Sequence, residues 1–503
     1  MPSLDRLAHQ ALIANGFQPD MGEAVEREVD RLPEESTKGI EPPTRDLRPL
    51  LWSSIDNASS RDLDQIEVAE ELAEGGIVLR IGIADVDALV PKGSAIDQHA
   101  FANATSVYTG VHVYPMLPER LSTDLTSLNE GEDRAILVIE VELAHDGTVR
   151  RHDVYRAVAT NHAKLAYESV GDWLEGRGPE PEKSAENDEL EAQLWLQDRA
   201  ASLLKRVREQ AGALEFDTIE ATPVAKEGKI EALAVTRKNR ARDLIEDFMI
   251  AANVAIARIL AERGRSAIRR VVRVPRRWSR IVDIARKYGV ALPDEPDAAA
   301  LSHFLATRRA ADPVRFPDLS LSIVKLLGPG EYVLDKPGPS DDLPHFGLAA
   351  PDYTHATAPN RRYADLVTQR LVKAAIANAP APYTDDELAA IAKQCTERED
   401  AANRVERTMR KVAAAELLAD RIGRVFSAIV TGVNRDGTYV RLLSPPAEGR
   451  VVRGEEGMDV GERVRVRLIG TDPEKGHIDF EGLQASPSAS AATSAPSRRT
   501  RRS

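Results

Sequence analysis

Several residue types and patterns are scarce in this chain, and each absence narrows the possible classes of protein. The 503 residues include one cysteine, Cys395, so no disulfide forms within the chain and no thiolate pair can hold structural zinc. No apolar run is long enough for a membrane-spanning helix, and MPSLDRLAHQ lacks the features of a signal peptide. We therefore expect a cytoplasmic protein without a membrane partner, in which Cys395 is a helix residue and not a nucleophile.

Positive charge is also in deficit. The chain has 67 Lys and Arg against 80 Asp and Glu, a formal net charge of −13, which argues against a protein whose whole surface attracts phosphates. Arginine is nevertheless dense at 269–277 and 361–362. These clusters indicate either a local path for nucleic acid or ordinary solvated faces.

The hydrophobic pattern divides the chain into four parts. Residues 1–46 predict two short helices, one over 4–14 that ends at Asn15-Gly16 and one with Val25, Val29 and Leu32 on one face. They form either a helix-turn-helix or a simple packing unit. Residues 421–484 have short strands, an Asp436-Gly437 turn and alternating apolar residues, which favour a five-stranded OB barrel, with or without a ligand. Residues 485–503 are rich in Ser, Ala and Arg and predict a disordered tail.

Residues 47–420 predict a large α+β domain with a mixed sheet. Strands are expected at 77–83 and 135–141, and helices at 163–174 and 190–207 with a loop at 176–188 between them. Further helices are expected at 241–262, 280–289, 300–310, 361–378 and 386–420.

Two stretches of this domain have unusual chemistry. Asp56, Asp62 and Asp64 lie in an Asn- and Ser-rich loop, and converging carboxylates are stable together when a hard cation such as Mg²⁺ offsets their repulsion. A solvated turn explains the same composition. Residues 345–370 place Arg361 and Arg362 after Pro359 and before an apolar helix. Arg361 is either a phosphate clamp or an exposed helix residue.

Together the two stretches resemble the signature motifs of the RNB family of ribonucleases II and R. The segment from Ile55 to Asp64 is similar to the family's metal-binding aspartate motif, and YTHATAPNRRYADL is similar to its arginine motif. Residues 114–122 and 243–253 also match, and the resemblance covers about residues 48–420. It implies an RNB-type catalytic domain followed by an OB-fold barrel.

The resemblance also implies a function and a set of site residues. The function is processive 3′ to 5′ hydrolysis of single-stranded RNA to nucleoside 5′-monophosphates, with Mg²⁺ or Mn²⁺. Asp56, Asp62 and Asp64 stand at the family's metal-binding positions. Asp62, Asp64 and Arg361 stand at its catalytic positions. In such a site, metal ions activate water and arginine neutralises phosphoryl charge. The resemblance further implies that Arg361, Arg362, Tyr108 and Phe216 contact the RNA. Glu406 is an additional candidate near the site.

Two departures from the family pattern leave an alternative open. Gln65 stands where the family usually has a fourth aspartate, which removes one negative charge from the metal site. The N-terminal region is short and helical where the family usually has cold-shock barrels. A catalytically weakened protein that binds RNA or ribosomes is therefore the second hypothesis, and the sequence identifies no protein partner.

Overall fold

The computed structural model describes residues 4–34, 37, 44–217, 220–226, 229–236, 238–338, 345–434 and 437–483. Contacts divide the chain into two compact units. The first holds residues up to 220 and residues 235–409, and the second holds residues 221–234 and the chain from 410 onward. The expected tail at 485–503 and Asp436 of the expected turn lie outside the described residues.

Twelve helices are described in these ranges: α1 (Leu4–Ala14), α2 (Glu23–Val29), α3 (Ala95–Asn103), α4 (Tyr167–Leu174), α5 (Glu182–Ala185), α6 (Asp188–Gln210), α7 (Arg240–Glu262), α8 (Trp278–Lys287), α9 (Ala298–Ala311), α10 (Phe316–Leu327), α11 (Tyr363–Ile376) and α12 (Asp385–Leu418). Single turns of other helix types occur at Val86–Ala88, Arg120–Leu125, Phe346–Leu348 and Ala419–Arg421. No helix in the described ranges is long and apolar enough to span a bilayer.

Seventeen strands are described in the same ranges: β1 (Arg45–Asp46), β2 (Trp52–Asp56), β3 (Gln65–Glu71), β4 (Ile77–Ala84), β5 (Val107–Tyr108), β6 (Val113–Tyr114), β7 (Asp133–Leu143), β8 (Val149–Ala166), β9 (Glu220–Lys226), β10 (Lys229–Thr236), β11 (Ala267–Val271), β12 (Glu331–Asp335), β13 (Val425–Asn434), β14 (Gly437–Leu442), β15 (Glu448–Arg453), β16 (Arg463–Asp472) and β17 (His477–Leu483).

A six-stranded sheet organises the first unit, in the order β1-β8-β2-β3-β4-β7. β8 pairs in parallel with β1 and β2 and antiparallel with β7, so the expected mixed sheet is confirmed. The strands β4 and β7 are almost continuously apolar because both of their faces are buried. Helices α6, α7 and α11 contact the sheet and complete the main core. The overall class is α+β, as expected.

The two N-terminal helices are present as expected, and their apolar residues are buried within the first unit, to which they belong. Val25 belongs to the main core, and Leu32 packs against it. Asn103 of α3 bonds to the backbone N–H and C=O of Gln18, at 2.8 and 2.9 Å. The apolar periodicity of this region is therefore explained by packing.

Several expected boundaries were wrong. Residues 163–166 were expected to begin a helix, but they end β8, since Ala163 to Ala166 pair with Ser53 to Asp56 of β2. The expected loop at 176–188 contains α5, and α11 begins at Tyr363 instead of 361. The helix α10 was not expected. At 163–166, pairing with a distant strand overrides local periodicity.

The second unit contains the expected barrel. Strands β13-β14-β15-β17-β16 form a closed barrel in which β15 and β17 are parallel and the other pairs antiparallel. Val430, Val440, Val451, Leu468 and Phe480 fill its interior. This arrangement is consistent with the OB fold. Strands β9 and β10 pair as a separate two-stranded sheet that the sequence did not predict.

Candidate active site

Two neighbouring strands carry the aspartates of the loop. Asp56 is the last residue of β2, and Asp64 directly precedes β3. The two strands pair antiparallel through Ser53 and Glu67, so the end of one and the start of the other lie at the same edge of the sheet. Asp64 is 2% exposed, whereas Asp62 in the loop is half-buried.

Asp64 is held by the arginine motif. Its Oδ1 accepts a hydrogen bond from the Asn360 backbone N–H at 3.0 Å, and its Oδ2 lies 3.3 Å from Arg361 Nε. Burial raises the pKa of Asp64 to about 7, although Arg361 and the Asn360 N–H act in the opposite direction. The structure thus brings together the two motifs that the sequence singled out.

The other two aspartates are held by short-range partners. Asp56 Oδ1 accepts hydrogen bonds from the Asn57 N–H at 2.6 Å and the Ser60 hydroxyl at 2.9 Å. Burial raises the pKa of Asp56, and the charge of Asp62 adds to that effect. Asp62 Oδ2 accepts a hydrogen bond from the Tyr108 hydroxyl at 3.1 Å. The charge of Asp62 also raises the pKa of Asp64, so Asp62 acts on both of the other carboxylates.

A cavity of about 240 Å³ adjoins this cluster. Tyr108, Arg361, Arg362 and Glu406 all line it. Glu406 accepts a hydrogen bond from the Tyr108 backbone N–H at 2.9 Å. The Tyr108 residue is 41% exposed and the Arg361 side chain 43%. Both side chains are therefore accessible to a ligand that enters the cavity.

Arg362 has a structural partner that the sequence did not indicate. Its guanidinium pairs with the buried carboxylate of Asp365 at 2.7 Å, across the first turn of α11. Arg269 is likewise paired, with Asp335 at 2.7 Å and Asp352 at 2.9 Å, and Arg270 pairs with Glu399 at 2.6 Å. Part of the arginine density in the sequence therefore serves ion pairs within the fold.

Phe216 and Gln65 lie apart from the Tyr108 cavity. Phe216 lines a second cavity of about 370 Å³, together with Lys205, Arg208 and Asp247. Gln65 is the first residue of β3, is 8% exposed and pairs with Ile83 of β4. The structure does not gather either residue with Tyr108 in one cavity.

Sequence reasoning missed two residues of the cavity. Tyr332 of β12 and His355 share a hydrogen bond of 2.7 Å between the tyrosine hydroxyl and Nδ1, and both line the cavity. Burial lowers the pKa of His355 well below its usual value. His355 lies within the arginine motif, so the sequence could have indicated it. Tyr332 reaches the cavity through the pairing of β11 with β12.

The chemistry of the aspartates can be compared with the needs of a metal ion. Within the described residues, no three His, Cys, Asp or Glu side chains lie close enough together to hold one ion. Mg²⁺ needs fewer protein ligands than that, because it commonly binds one or two carboxylates together with waters and substrate phosphates. Asp64 is a buried oxygen donor and Asp56 a half-buried one, and both lie near an accessible cavity. The donor set therefore fits Mg²⁺ or Mn²⁺.

Two family models match most of the chain. The RNB domain model matches residues 44–378, about two thirds of the chain, and the model of the RNase II-type exonuclease C-terminal S1 domain matches residues 424–482. The chain therefore belongs to the RNB family.

Two relatives and one solved structure illustrate the similarity. Ribonuclease R of Thermotoga maritima is 29% identical over 511 residues, covering 95% of this chain and 70% of that protein. Ribonuclease R of Vibrio parahaemolyticus is 29% identical over 505 residues, covering 92% of this chain and 59% of that protein. RNase R of Mycoplasma genitalium, in complex with ribose methylated single-stranded RNA, has the same fold, with a TM-score of 0.85, 21% identity and coverage of 96% and 78%.

Proposed function

We propose that this protein is a metal-dependent hydrolase that shortens single-stranded RNA from its 3′ end. The observation that carries the proposal is the 3.3 Å approach of Arg361 Nε to Asp64 Oδ2 beside an accessible cavity. A guanidinium is suited to a phosphate oxygen because its donors match that geometry. Placed beside carboxylates, it can neutralise the charge that develops on a phosphoryl group while they hold the cation.

The aspartates are the proposed metal-holding side of the site. Asp56, Asp62 and Asp64 would hold Mg²⁺ or Mn²⁺, which when bound supplies an activated water and stabilises the leaving oxygen. The Asn360 N–H orients Asp64, and the Tyr108 hydroxyl orients Asp62. Such partners hold carboxylates in one orientation before the substrate arrives.

The proposed contacts with the RNA end involve aromatic and basic side chains. Tyr108 offers an exposed ring for stacking a base, and Glu406 holds its backbone in place. Arg361 binds the phosphate and Arg362 lines the same cavity. Phe216, which resembles the family's stacking partner for the aromatic at the Tyr108 position, completes the proposed set. Stacking tolerates every base, which suits a processive enzyme that releases nucleoside 5′-monophosphates. We assign RNA binding also to the barrel at 421–484.

The relatives support this proposal. Several are named ribonuclease R, and the Mycoplasma genitalium protein binds single-stranded RNA. The chain spans 59 to 70% of the length of the two curated relatives above. The buried Cys395 thiol suits a reducing compartment, and we place the activity in the cytoplasm.

A labelled RNA tests the proposal. Single-stranded RNA with a 5′ label is incubated with the purified chain, with Mg²⁺, Mn²⁺ or a chelator, and the products are resolved by length. We expect stepwise shortening to a small limit fragment that requires metal and is absent in Asp64→Asn. Glu70→Gln, an exposed carboxylate of β3, is the matched control with parent activity.

Two other outcomes would change the assignment. Intact RNA under every metal, with RNA binding retained, would favour the weakened RNA-binding protein that Gln65 suggests. Equal activity of Asp64→Asn and the parent chain would remove Asp64 from the site.

A further inference from the structure

A buried segment of three residues, Thr126 to Leu128, contacts both motifs of the candidate site. It lies between the single helical turn at Arg120–Leu125 and the start of β7 at Asp133, and all three of its side chains are buried. The segment carries no carboxylate and lines neither of the two cavities described above. Its relation to the site therefore depends on the hydrogen bonds that it makes.

The Ser127 hydroxyl holds the backbone on both sides of Asp62. Its oxygen accepts a hydrogen bond from the Leu63 N–H at 3.0 Å, and the hydroxyl donates to the Arg61 carbonyl at 2.7 Å. The Leu128 N–H adds a bond to the Leu63 carbonyl at 3.0 Å. Asp62 lies between these two anchored residues, so Ser127 restrains the backbone rotation that would turn the carboxylate of Asp62 away from the site.

The Thr126 hydroxyl holds the residue that orients Asp64. It donates to the side-chain Oδ1 of Asn360 at 2.5 Å, and the Asn360 backbone N–H donates to Asp64 Oδ1 at 3.0 Å. Asn360 is 1% exposed, and in the described part of the chain its side-chain Nδ2 has no hydrogen-bond partner. Loss of the Thr126 hydroxyl would leave this buried amide without a partner at either end, which is costly and favours a displacement of Asn360 from Asp64.

The segment is itself anchored to the six-stranded sheet. Arg134 of β7 donates through Nε to the Ser127 carbonyl at 2.9 Å, and Asn161 of β8 donates through Nδ2 to the Leu128 carbonyl at 2.9 Å. Both donor residues are buried. A site is held most accurately by groups that are fixed on strands or helices, so this segment can fix both motifs relative to the sheet.

We infer that Ser127 and Thr126 are positioning residues of the metal site. Ser127 acts through Asp62. Thr126 acts on Asp64 through Asn360. Because the two hydroxyls belong to adjacent residues, they fix the aspartate loop relative to the arginine motif. The inference rests on the proposed function for the identity of the site. Residues that orient metal ligands typically change metal affinity or activity by about 10 to 100-fold.

Substitutions at Thr126 separate the hydroxyl from its role in packing, and Mn²⁺ binding without RNA is the measurement. Mn²⁺ is titrated into the full chain, and free Mn²⁺ is followed by electron paramagnetic resonance. Thr126→Val removes the hydroxyl and keeps the shape, whereas Thr126→Ser keeps the hydroxyl and removes the methyl group. We expect Thr126→Val and Ser127→Ala each to weaken Mn²⁺ binding by about 10 to 100-fold, and Thr126→Ser to bind like the parent. The control is Thr368→Val, which removes a buried hydroxyl that donates to the Ala364 carbonyl within α11 and should leave Mn²⁺ affinity unchanged.

Kinetics and RNA binding supply a second readout. In Thr126→Val and Ser127→Ala the kcat of RNA shortening should fall by a similar factor, while RNA affinity in a chelating buffer stays at the parent value, because neither residue lines the Tyr108 cavity. A purely structural role would lower stability in urea and leave Mn²⁺ affinity and kcat unchanged, which would overturn the inference. Equal losses of Mn²⁺ affinity in Thr126→Ser and Thr126→Val would also overturn it, since packing would then be the cause.

Two further outcomes have a defined meaning. If Ser127→Ala or Thr126→Val does not fold, the cysteine variant at the same position takes its place, because a thiol is a weak donor and acceptor. An unchanged Mn²⁺ affinity in that variant would refute the role of the residue. Absence of Mn²⁺ binding by the parent would overturn the inference as a whole.

The failure of this inference is distinguishable from the failure of the proposed function. Metal-dependent RNA shortening, with Mn²⁺ affinity unaffected by Ser127→Ala and Thr126→Val, rejects the inference alone. Mn²⁺ binding that depends on both hydroxyls, without RNA shortening, supports the inference and rejects the nuclease function.

Discussion

Replacing Asp64 by asparagine should remove a loss of stability that the metal-free protein undergoes as the pH rises from about 4 to about 7. The pKa of Asp64 is raised from its ordinary value of 3.8 to about 7 in the fold, because burial disfavours the carboxylate. Between those values the folded protein keeps a proton that the unfolded chain has lost, so stability falls as pH rises from about 4 to about 7 and is constant above. The three-unit difference corresponds to about 4 kcal/mol at pH 8.

The stability of the variant Asp64→Asn does not fall in this way as the pH rises, because asparagine does not titrate. Its amide oxygen can still accept the Asn360 N–H, while the amide group facing Arg361 imposes a cost that does not depend on pH. That cost cancels when two pH values are compared. From pH 5 to pH 8 the free energy of unfolding of the parent falls by the equivalent of two pKa units. The free energy of unfolding of the variant relative to that of the parent should therefore rise by about 3 kcal/mol over that range.

Urea unfolding in a chelating buffer measures this difference. All four tryptophans, Trp52, Trp173, Trp195 and Trp278, lie in the first unit, so their fluorescence follows the unit that contains Asp64. Glu70→Gln removes an exposed carboxylate of the same region and is the control. A stability difference between Asp64→Asn and the parent that is the same at pH 5 and pH 8 would refute the reasoning.

Three further predictions follow from contacts of the first unit. Arg361→Lys should reduce kcat at least about 100-fold with little change in RNA affinity, because a point charge replaces a forked donor near developing phosphoryl charge. The control is Arg273→Lys, at an exposed ion pair with Glu331. A kcat of Arg361→Lys equal to that of the parent would contradict the proposed role. Tyr108→Ala should change the length of the residual RNA, since stacking contributes about 1 to 3 kcal/mol per base; an unchanged limit fragment in a sequencing gel would argue against stacking. Arg370→Met should cost about 3 to 5 kcal/mol in urea unfolding, because Asp97 loses its guanidinium partner at 2.8 Å in a buried site; a cost under about 1 kcal/mol would contradict it.

The elements that the sequence predicted best have strong local signals. The helix α7 begins after Asn239, whose side chain accepts a hydrogen bond from the Arg242 N–H, and this cap is readable in the sequence. The run Ala135 to Val141 is apolar and β-branched and became the centre of β7. Local propensity and tertiary structure agree at these positions.

The errors arise where distant residues decide. Ala163 to Ala166 lie in a segment with helical periodicity but pair with β2. No local feature of the sequence predicts that pairing. At the site, the resemblance brought Asp64 and Arg361 together, whereas Tyr332 carries no sequence signal. Tyr332 reaches the cavity through the pairing of β12 with β11, which is a property of the folded sheet.

The hydrogen bond from Asn360 to Asp64 joins residues 296 positions apart. During synthesis the aspartate loop leaves the ribosome long before the arginine segment is made. The proposed phosphate-binding guanidinium and the carboxylates therefore cannot meet until most of the chain has emerged. A ribosome-bound intermediate would have an incomplete site, so the growing polypeptide would not hydrolyse the messenger RNA or the ribosomal RNA beside it.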